Sequence, residues 1–239
     1  MADVETDQTP NAPQTLRLTG RKLTAAGTAL GLKIGDTLAA INGKAFVGNA
    51  AALNERFTHA GGRPVALTFR RGEVDITVLA LHPDLGKWEL TAAIQNWTDD
   101  RTDPDMMRNW EILRGPDGAY DIQPLEVGMM ALLCPPFWLL QNRLWVPTAA
   151  IVAVIAIATA IWWVLFPFIY VACGVIIQRT GTTLFRLDRI NLGMQPYAIV
   201  AATTEAGAHA AYGKIDPRGR FVYAAAQEPI SEEELEIAD

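Results

Sequence analysis

The chain has 239 residues, a formal net charge of -6 and 50% hydrophobic residues. This length allows one or two small domains beside a membrane segment, and the negative charge argues against nucleic acid as a partner. Cys134 and Cys173 both lie in apolar sequence with no cysteine or histidine at ligand spacing, so we expect neither a disulfide nor a metal site.

The chain opens with a polar stretch over residues 1–14, which contains prolines and has no hydrophobic period. We expect it to be a disordered lead. From Thr15 the pattern changes, because TLRLTG alternates apolar and polar residues as a half-buried strand does. LTAAGTAL is a short helical candidate, GLKIGD is a turn with two glycines, and TLAAING is a strand that ends in the tight-turn dipeptide Asn42-Gly43.

The next stretch predicts a helix and two strands. Asn49 can cap a helix over NAAALNERFTHA, in which Leu53 and Phe57 lie four residues apart. GGRP ends this helix, and VALTFRR and VDITVLAL alternate as two strands on either side of Arg71-Gly72.

Over residues 15–83 this order resembles a PDZ domain of the bacterial type. The resemblance is carried by AGTALGLKIGDTLAAINGKAF, followed by the helix with Leu53 and Phe57 and by the hairpin at RRG. It implies a small antiparallel sheet capped by two helices. The residues expected to be largely buried are Leu18, Ile34, Leu38, Ile41, Leu53, Phe57, Val65, Leu67, Phe69, Ile76 and Val78.

The resemblance also implies a peptide groove, in which a ligand adds as a strand to an open sheet edge. The groove residues would be Leu16, Leu18, Ala51, Asn54 and Thr58. The glycine-containing loop that usually binds a ligand carboxylate is missing, since only ETDQTPNAPQ lies upstream of the strand. Two alternatives follow: peptide binding along Leu16 to Thr19, or packing of the module on its own chain or on a fixed partner.

Residues 84–126 are too polar to span a membrane and too aromatic for a free linker. Trp88, Trp97 and Trp110 indicate a docked surface. Met107, Trp110 and Leu113 indicate one face of a helix. We therefore expect a Trp-rich connecting segment that includes a helix.

Residues 127–178 form the predicted membrane segment. No charged residue lies between Trp145 and Ile177, a stretch that is roughly 50 Å long as one helix, against a bilayer core of about 30 Å. Pro135-Pro136 breaks the apolar stretch before it, where a re-entrant or interfacial segment and a full span are both open. Pro167 and four aromatic residues near it are candidates for a bend in the long run. These aromatic residues are Trp162, Trp163, Phe166 and Phe168.

A second resemblance covers residues 126–192. CPPFWLLQNRLW, the long apolar run and GTTLFRLDR resemble a family of small uncharacterised bacterial membrane proteins. This resemblance implies no activity.

Charge predicts the topology. The residues expected at the membrane interface are Trp138, Arg143, Trp145, Arg179, Arg186 and Arg189. No export signal precedes the first folded unit, and arginines crowd the exit of the apolar run, so the positive-inside rule predicts an even number of crossings with both terminal regions in the bacterial cytoplasm. The crossings would be either a pair around Arg143 or a hairpin within the long run of an inner-membrane protein.

Residues 179–239 are predicted to form a polar tail. YAIVAATT and AHAAYGKI are expected to be strands, DPRG a turn and RFVYAA the returning strand of a hairpin, before an acidic end. The predicted fold class is α+β: a small PDZ-like sheet-and-helix domain, a helical membrane segment and a short β-rich tail.

The sequence also lacks common catalytic patterns. Its single serine, Ser231, lies in the acidic end, and His59, His82 and His209 are widely spaced. We therefore expect no enzyme activity, cofactor or metal. A recognition fold beside a membrane segment predicts a non-catalytic adaptor, an accessory or assembly subunit of a larger inner-membrane complex that contacts its partners and the lipid bilayer. The alternative is a substrate-presenting auxiliary subunit of a separate membrane protease.

Overall fold

A computed structural model describes residues 13–100 and 102–224. Within these ranges the fold is α+β, with two β-sheets and seven α-helices. The predicted disordered lead and the acidic end of the tail lie almost entirely outside the described residues.

The first sheet contains the strands predicted for residues 15–83. Its members are β1 (Gln14–Thr19), β2 (Thr37–Ile41), β3 (Lys44–Ala45), β4 (Val65–Arg71), β5 (Val74–Ala80) and β6 (Lys87–Ala92). The strands lie in the order β5-β4-β2-β1-β6, with β3 paired to β2. Helices α1 (Ala25–Ala29) and α2 (Ala50–Ala60) accompany this sheet. As predicted, Asn49 caps α2, accepting a hydrogen bond from the Ala52 N–H at 3.1 Å.

Burial confirms the predicted core at every position except Ile34, which is 51% exposed. Leu32 of this turn is buried, and so is Asp36, which is only 1% exposed. Its carboxylate accepts the Lys33 N–H at 2.8 Å and pairs with the Arg71 guanidinium at 2.6 Å. Because this ion pair takes the inward position, Ile34 points towards solvent.

Residues 84–126 are more than a connecting segment, because they supply three strands and a 3₁₀ turn at Pro104–Met106. After β6 come β7 (Arg108–Arg114) and β8 (Ala119–Pro124), which form a second sheet with β9 (Gln195–Ala202) and β10 (Arg220–Phe221) in the order β10-β8-β7-β9. Trp110 and Leu113 lie on opposite faces of β7 and pack in different clusters, as the two-residue period of a strand requires. The helical interpretation of this stretch was wrong.

The tail also differs from the predicted β-hairpin. β9 confirms the first strand, but AHAAYGKI belongs to helix α7 (Glu205–Ile215), which Thr204 caps through the Gly207 N–H. RFVYAA contributes only the two residues of β10, and these pair in parallel with β8. The tail strands therefore complete the second sheet instead of forming a separate β-hairpin.

One hydrophobic core joins the two sheets. Leu18 and Phe69 of the first sheet belong to the same buried cluster as Ile112 and Val200 of the second and Tyr212 of α7. The boundary predicted at residue 83 therefore does not separate two cores.

The apolar region forms four helices. These are α3 (Met130–Leu133), α4 (Pro135–Gln141), α5 (Trp145–Ile161) and α6 (Leu165–Asn191). The predicted bend is present, since the long run breaks at residues 162–164. Helices α3 and α4 have only 4 and 7 residues, too few to cross a bilayer core of about 30 Å. Among the described residues, α6 is the one helix long and apolar enough to cross a membrane, and α5 is a shorter apolar helix of 17 residues.

Candidate functional site

The edge expected to receive a peptide is occupied by the chain itself. β1 pairs with β2 on one side and with β6 on the other, in antiparallel register from Gln14↔Ala92 to Thr19↔Lys87. A strand has only two edges, so an incoming peptide finds no free backbone on β1 while β6 is in place. Of the two alternatives left by the sequence, the structure has the module packed on its own chain.

The predicted groove residues are not brought together around an open cleft. Leu16 and Leu18 are buried in the core, whereas Ala51, Asn54 and Thr58 lie on the exposed face of α2. The Thr58 hydroxyl donates to the Asn54 carbonyl oxygen within the same helix at 3.0 Å. In the structure these residues therefore do not form one open peptide groove.

Helices α5 and α6 form a hairpin with an extended exposed apolar surface. The start of α5 packs on the second half of α6, because Leu144 and Ile151 share a cluster with Ile177 and Phe185. The helices therefore run in opposite directions, and the turn at residues 162–164 is the tip. Large apolar side chains are exposed along both helices and at the tip: Trp145, Val146, Val152, Val154, Ile157, Ile161, Trp162, Trp163, Phe166, Phe168, Val171 and Ile176. An apolar surface of this extent marks a membrane or protein contact.

Helices α3 and α4 lie against α6 at two glycines. A Cβ atom at Gly174 would lie 2.3 Å from the Leu132 carbonyl oxygen, and one at Gly181 would lie 2.7 Å from the Trp138 ring. The Tyr170 hydroxyl also donates to the Leu133 carbonyl oxygen at 2.9 Å. The α3–α4 segment thus follows α6 from Gly181 towards the tip, as a re-entrant or interfacial segment would.

Two of the arginines predicted at the membrane interface serve a different purpose. Arg186 pairs with Glu111 at 2.8 Å, and Arg189 pairs with Asp121 at 2.6 Å. Arg189 is 3% exposed and Asp121 is 4% exposed. These side chains dock the end of α6 on β7 and β8, so Arg189 is buried away from any lipid headgroup, and the charge of Arg186 is neutralised within the protein.

The other predicted interface residues keep an exposed or partly exposed position. Trp145, Arg143 and Arg179 are exposed, and Trp138 is half-buried against α6. Arg143 and Arg179 make no ion pair with any other described residue. Among the described side chains, these two cations at the base of the hairpin therefore have no carboxylate partner.

A cleft of about 310 Å³ opens beside Arg143, between the second sheet and the base of the hairpin. Asn142, Arg189, Glu205 and Tyr223 are among its lining residues. The Arg143 guanidinium lies 3.6 Å from the centre of the Tyr223 ring, a cation–π contact. Neither Glu205 nor Tyr223 belongs to a recognisable sequence motif, so the sequence does not indicate that they line a cleft.

An aromatic cluster supports this cleft from behind. The Tyr120 hydroxyl and His209 Nδ1 are 2.9 Å apart, and both rings contact Phe221. Burial raises the pKa of the Tyr120 and Tyr212 phenols above their ordinary value. Both therefore stay neutral at physiological pH and act as structural hydrogen-bonding groups.

Within residues 13–100 and 102–224, no three His, Cys, Asp or Glu side chains are arranged to hold a metal ion. No protein-family model matches the chain, and a search of the curated proteins finds no match.

Proposed function

We propose that the protein is a non-catalytic adaptor anchored in the bacterial inner membrane, where it is an accessory or assembly subunit of a larger protein complex. One observation carries this proposal: an exposed apolar hairpin is joined to a two-sheet body through the buried Arg189–Asp121 pair. Such an arrangement favours a scaffold held at a defined height and orientation above the bilayer. Its partners would contact the exposed faces of the body, including the PDZ-like unit, and the apolar helices.

The PDZ-like identity of the first unit is part of the proposal. The order β1, α1, β2, α2, β4 and β5 supports it, as do the turn at Gly31–Asp36 and the Asn42-Gly43 turn. The closed edge of β1 favours a fixed adaptor over a peptide-capturing subunit. It therefore counts against the alternative, a protease auxiliary that presents substrate C-termini, which would need β6 to leave.

Copurification tests the adaptor function. When the tagged full-length chain is extracted from its native membrane in a mild detergent, we expect at least one membrane protein to co-elute in a constant ratio through affinity and size-exclusion steps. A matched preparation of Asp121→Asn, in which the body is loosened from α6, should recover less of that partner. Elution of the wild-type protein as a lone monomer would refute the proposal.

The sheet topology supports placing both halves of the chain on one side of the membrane. β7 precedes the hairpin and β9 follows it, yet they pair from Arg108↔Ala202 to Arg114↔Gln195. A hydrogen-bonded sheet cannot be divided by a bilayer, and this supports a hairpin that returns to the side from which it entered. Arg143 and Arg179 at its base favour the cytoplasmic side. Helix α5 is about 25 Å long at the helical rise, so its tip would reach the far interface, where tryptophans are enriched.

Cysteine labelling tests this topology. After Cys134→Ala and Cys173→Ala, single probes are placed by Glu73→Cys, Arg218→Cys and Trp163→Cys, and spheroplasts receive a membrane-impermeant maleimide. We expect the probe at the tip to react from outside, and the probes in the first unit and after α7 to react only after permeabilisation. Reaction of either body probe in intact spheroplasts would contradict the proposed orientation.

A further inference from the structure

Arg143, beside the cleft, has a left-handed backbone conformation at a position where helices usually place glycine. Helix α4 ends in a motif in which the Leu144 N–H bonds the Leu139 carbonyl oxygen and the Arg143 N–H bonds the Leu140 carbonyl oxygen, both at 2.9 Å. In this motif the residue after the C-cap adopts a left-handed conformation and is usually glycine. Here it is Arg143, with φ 57°.

A left-handed arginine costs free energy that glycine would avoid. The backbone motif alone therefore does not explain an arginine at this position, which points to a role for its side chain. The guanidinium is held over the Tyr223 ring at the edge of the cleft. In the chain, Arg143 lies between α4, which carries exposed Leu140, and α5, which begins with exposed Trp145.

The cleft is lined by two arginines and two carboxylates, so its charges balance. Arg189 and Asp121 neutralise each other. This leaves the cation of Arg143 and the carboxylate of Glu205, whose one ion contact among the described residues is a long 3.8 Å approach to His209. Among the residues that the structure describes, the cleft thus presents one cation and one carboxylate without a close ion-pair partner, where the second sheet meets the base of the hairpin.

We propose that this cleft binds the headgroup of a zwitterionic aminophospholipid. Arg143 would hold the phosphodiester, because a guanidinium binds phosphate oxygens through two parallel N–H donors. Glu205 would accept hydrogen bonds from the primary ammonium group, and the acyl chains would lie along the exposed apolar face of α4 and α5. The inference rests on the proposed membrane placement and adds a ligand class to it.

The left-handed position makes Arg143→Gly a suitable test, since glycine suits the backbone and the variant removes the side chain with its guanidinium. Full-length protein is delipidated in detergent, and binding of phosphatidylethanolamine, phosphatidylcholine and phosphatidylglycerol with identical acyl chains is measured by native mass spectrometry. We expect the wild type to prefer phosphatidylethanolamine. Arg143→Gly should weaken its binding about tenfold, the effect of losing one charge-assisted contact. The melting temperature should not fall in that variant.

Two further variants separate the parts of the site. The wild type should prefer phosphatidylethanolamine over phosphatidylcholine because a quaternary ammonium has no N–H to donate. Glu205→Gln should reduce this preference, because the amide oxygen accepts the ammonium hydrogen bonds without the charge of the carboxylate. Arg63→Gln, on an exposed loop of the first unit, is the matched control and should bind like the wild type. Unchanged lipid binding in Arg143→Gly, or a wild-type preference for phosphatidylglycerol, would overturn the headgroup site while leaving the adaptor proposal intact. If the protein does not co-sediment with liposomes of any composition, the membrane placement fails and this proposal fails with it.

Discussion

Asp121→Asn is expected to lower the free energy of unfolding by about 3 kcal/mol, because it leaves the Arg189 guanidinium buried without its main carboxylate. Both side chains are almost fully enclosed, and the pair is 2.6 Å apart. Arg189 keeps contacts with Asp188 and with the Tyr223 hydroxyl, which places the loss at the lower end for broken buried pairs. The pair joins α6 to β8, so the change should loosen the body from the hairpin.

The measurement is denaturant unfolding of the full-length protein in detergent micelles, followed by tryptophan fluorescence. The matched control is Asp117→Asn, which removes an exposed pair with Arg220 at 3.5 Å and should cost no more than about 0.5 kcal/mol. Adding Arg189→Met to Asp121→Asn should recover part of the loss, since the uncompensated charge is then removed. A loss below about 1 kcal/mol for Asp121→Asn would show that the pair does not hold α6 on the sheet.

Phe57→Ala is expected to cost about 3–5 kcal/mol, because it empties the place of a large aromatic side chain in the core. Phe57 lies on the buried face of α2 with Leu53, and both belong to the cluster that joins the two sheets. The same unfolding experiment on the full-length chain measures the loss. Phe57→Leu is the control, and its loss should stay under about 1.5 kcal/mol because most of the volume remains filled. Equal losses in the two variants, or a loss for alanine below about 1 kcal/mol, would contradict a core position.

The first unit could be predicted from sequence because its signals are local. Alternation in TLAAING and VALTFRR, the cap at Asn49 and the Asn42-Gly43 turn each lie within a few residues of the element they specify. Ile34 was misplaced because its exposure depends on Arg71, which approaches Asp36 from a strand 35 residues away in sequence.

The second sheet could not be predicted because its central pairing is not local. β7 finds its partner β9 only after the entire α5–α6 hairpin has intervened. Alone, RNWEILR does not reveal which strand completes it, and the alanine-rich stretch after Thr204 fits a strand or a helix until the cap is seen. Within the sheet, the acidic residues Glu111 and Asp121 stand among apolar neighbours, which is an available signal of buried ion pairs.

The same non-local pairing explains the error about the arginines. Arg186 and Arg189 are three residues apart and so lie on one face of α6. Counting charges assigned that face to lipid headgroups, whereas Glu111 and Asp121 neutralise it within the protein. Arg143 and Arg179 have no such partners among the described side chains. The positive-inside rule therefore still applies to these two arginines.

The pairing of β1 with β6 determines which fragments of this protein can fold as they do in the full chain. A recombinant fragment that stops at residue 83 would lose β6 and leave the backbone donors and acceptors of β1 open over the length of that strand. It would also uncover the apolar side of the first sheet that packs on Ile112 and Val200. Open strand edges beside bare apolar surface pair with other copies. The fragment would therefore tend to self-associate, and its apparent peptide binding would report the vacated place of β6 instead of a native ligand site.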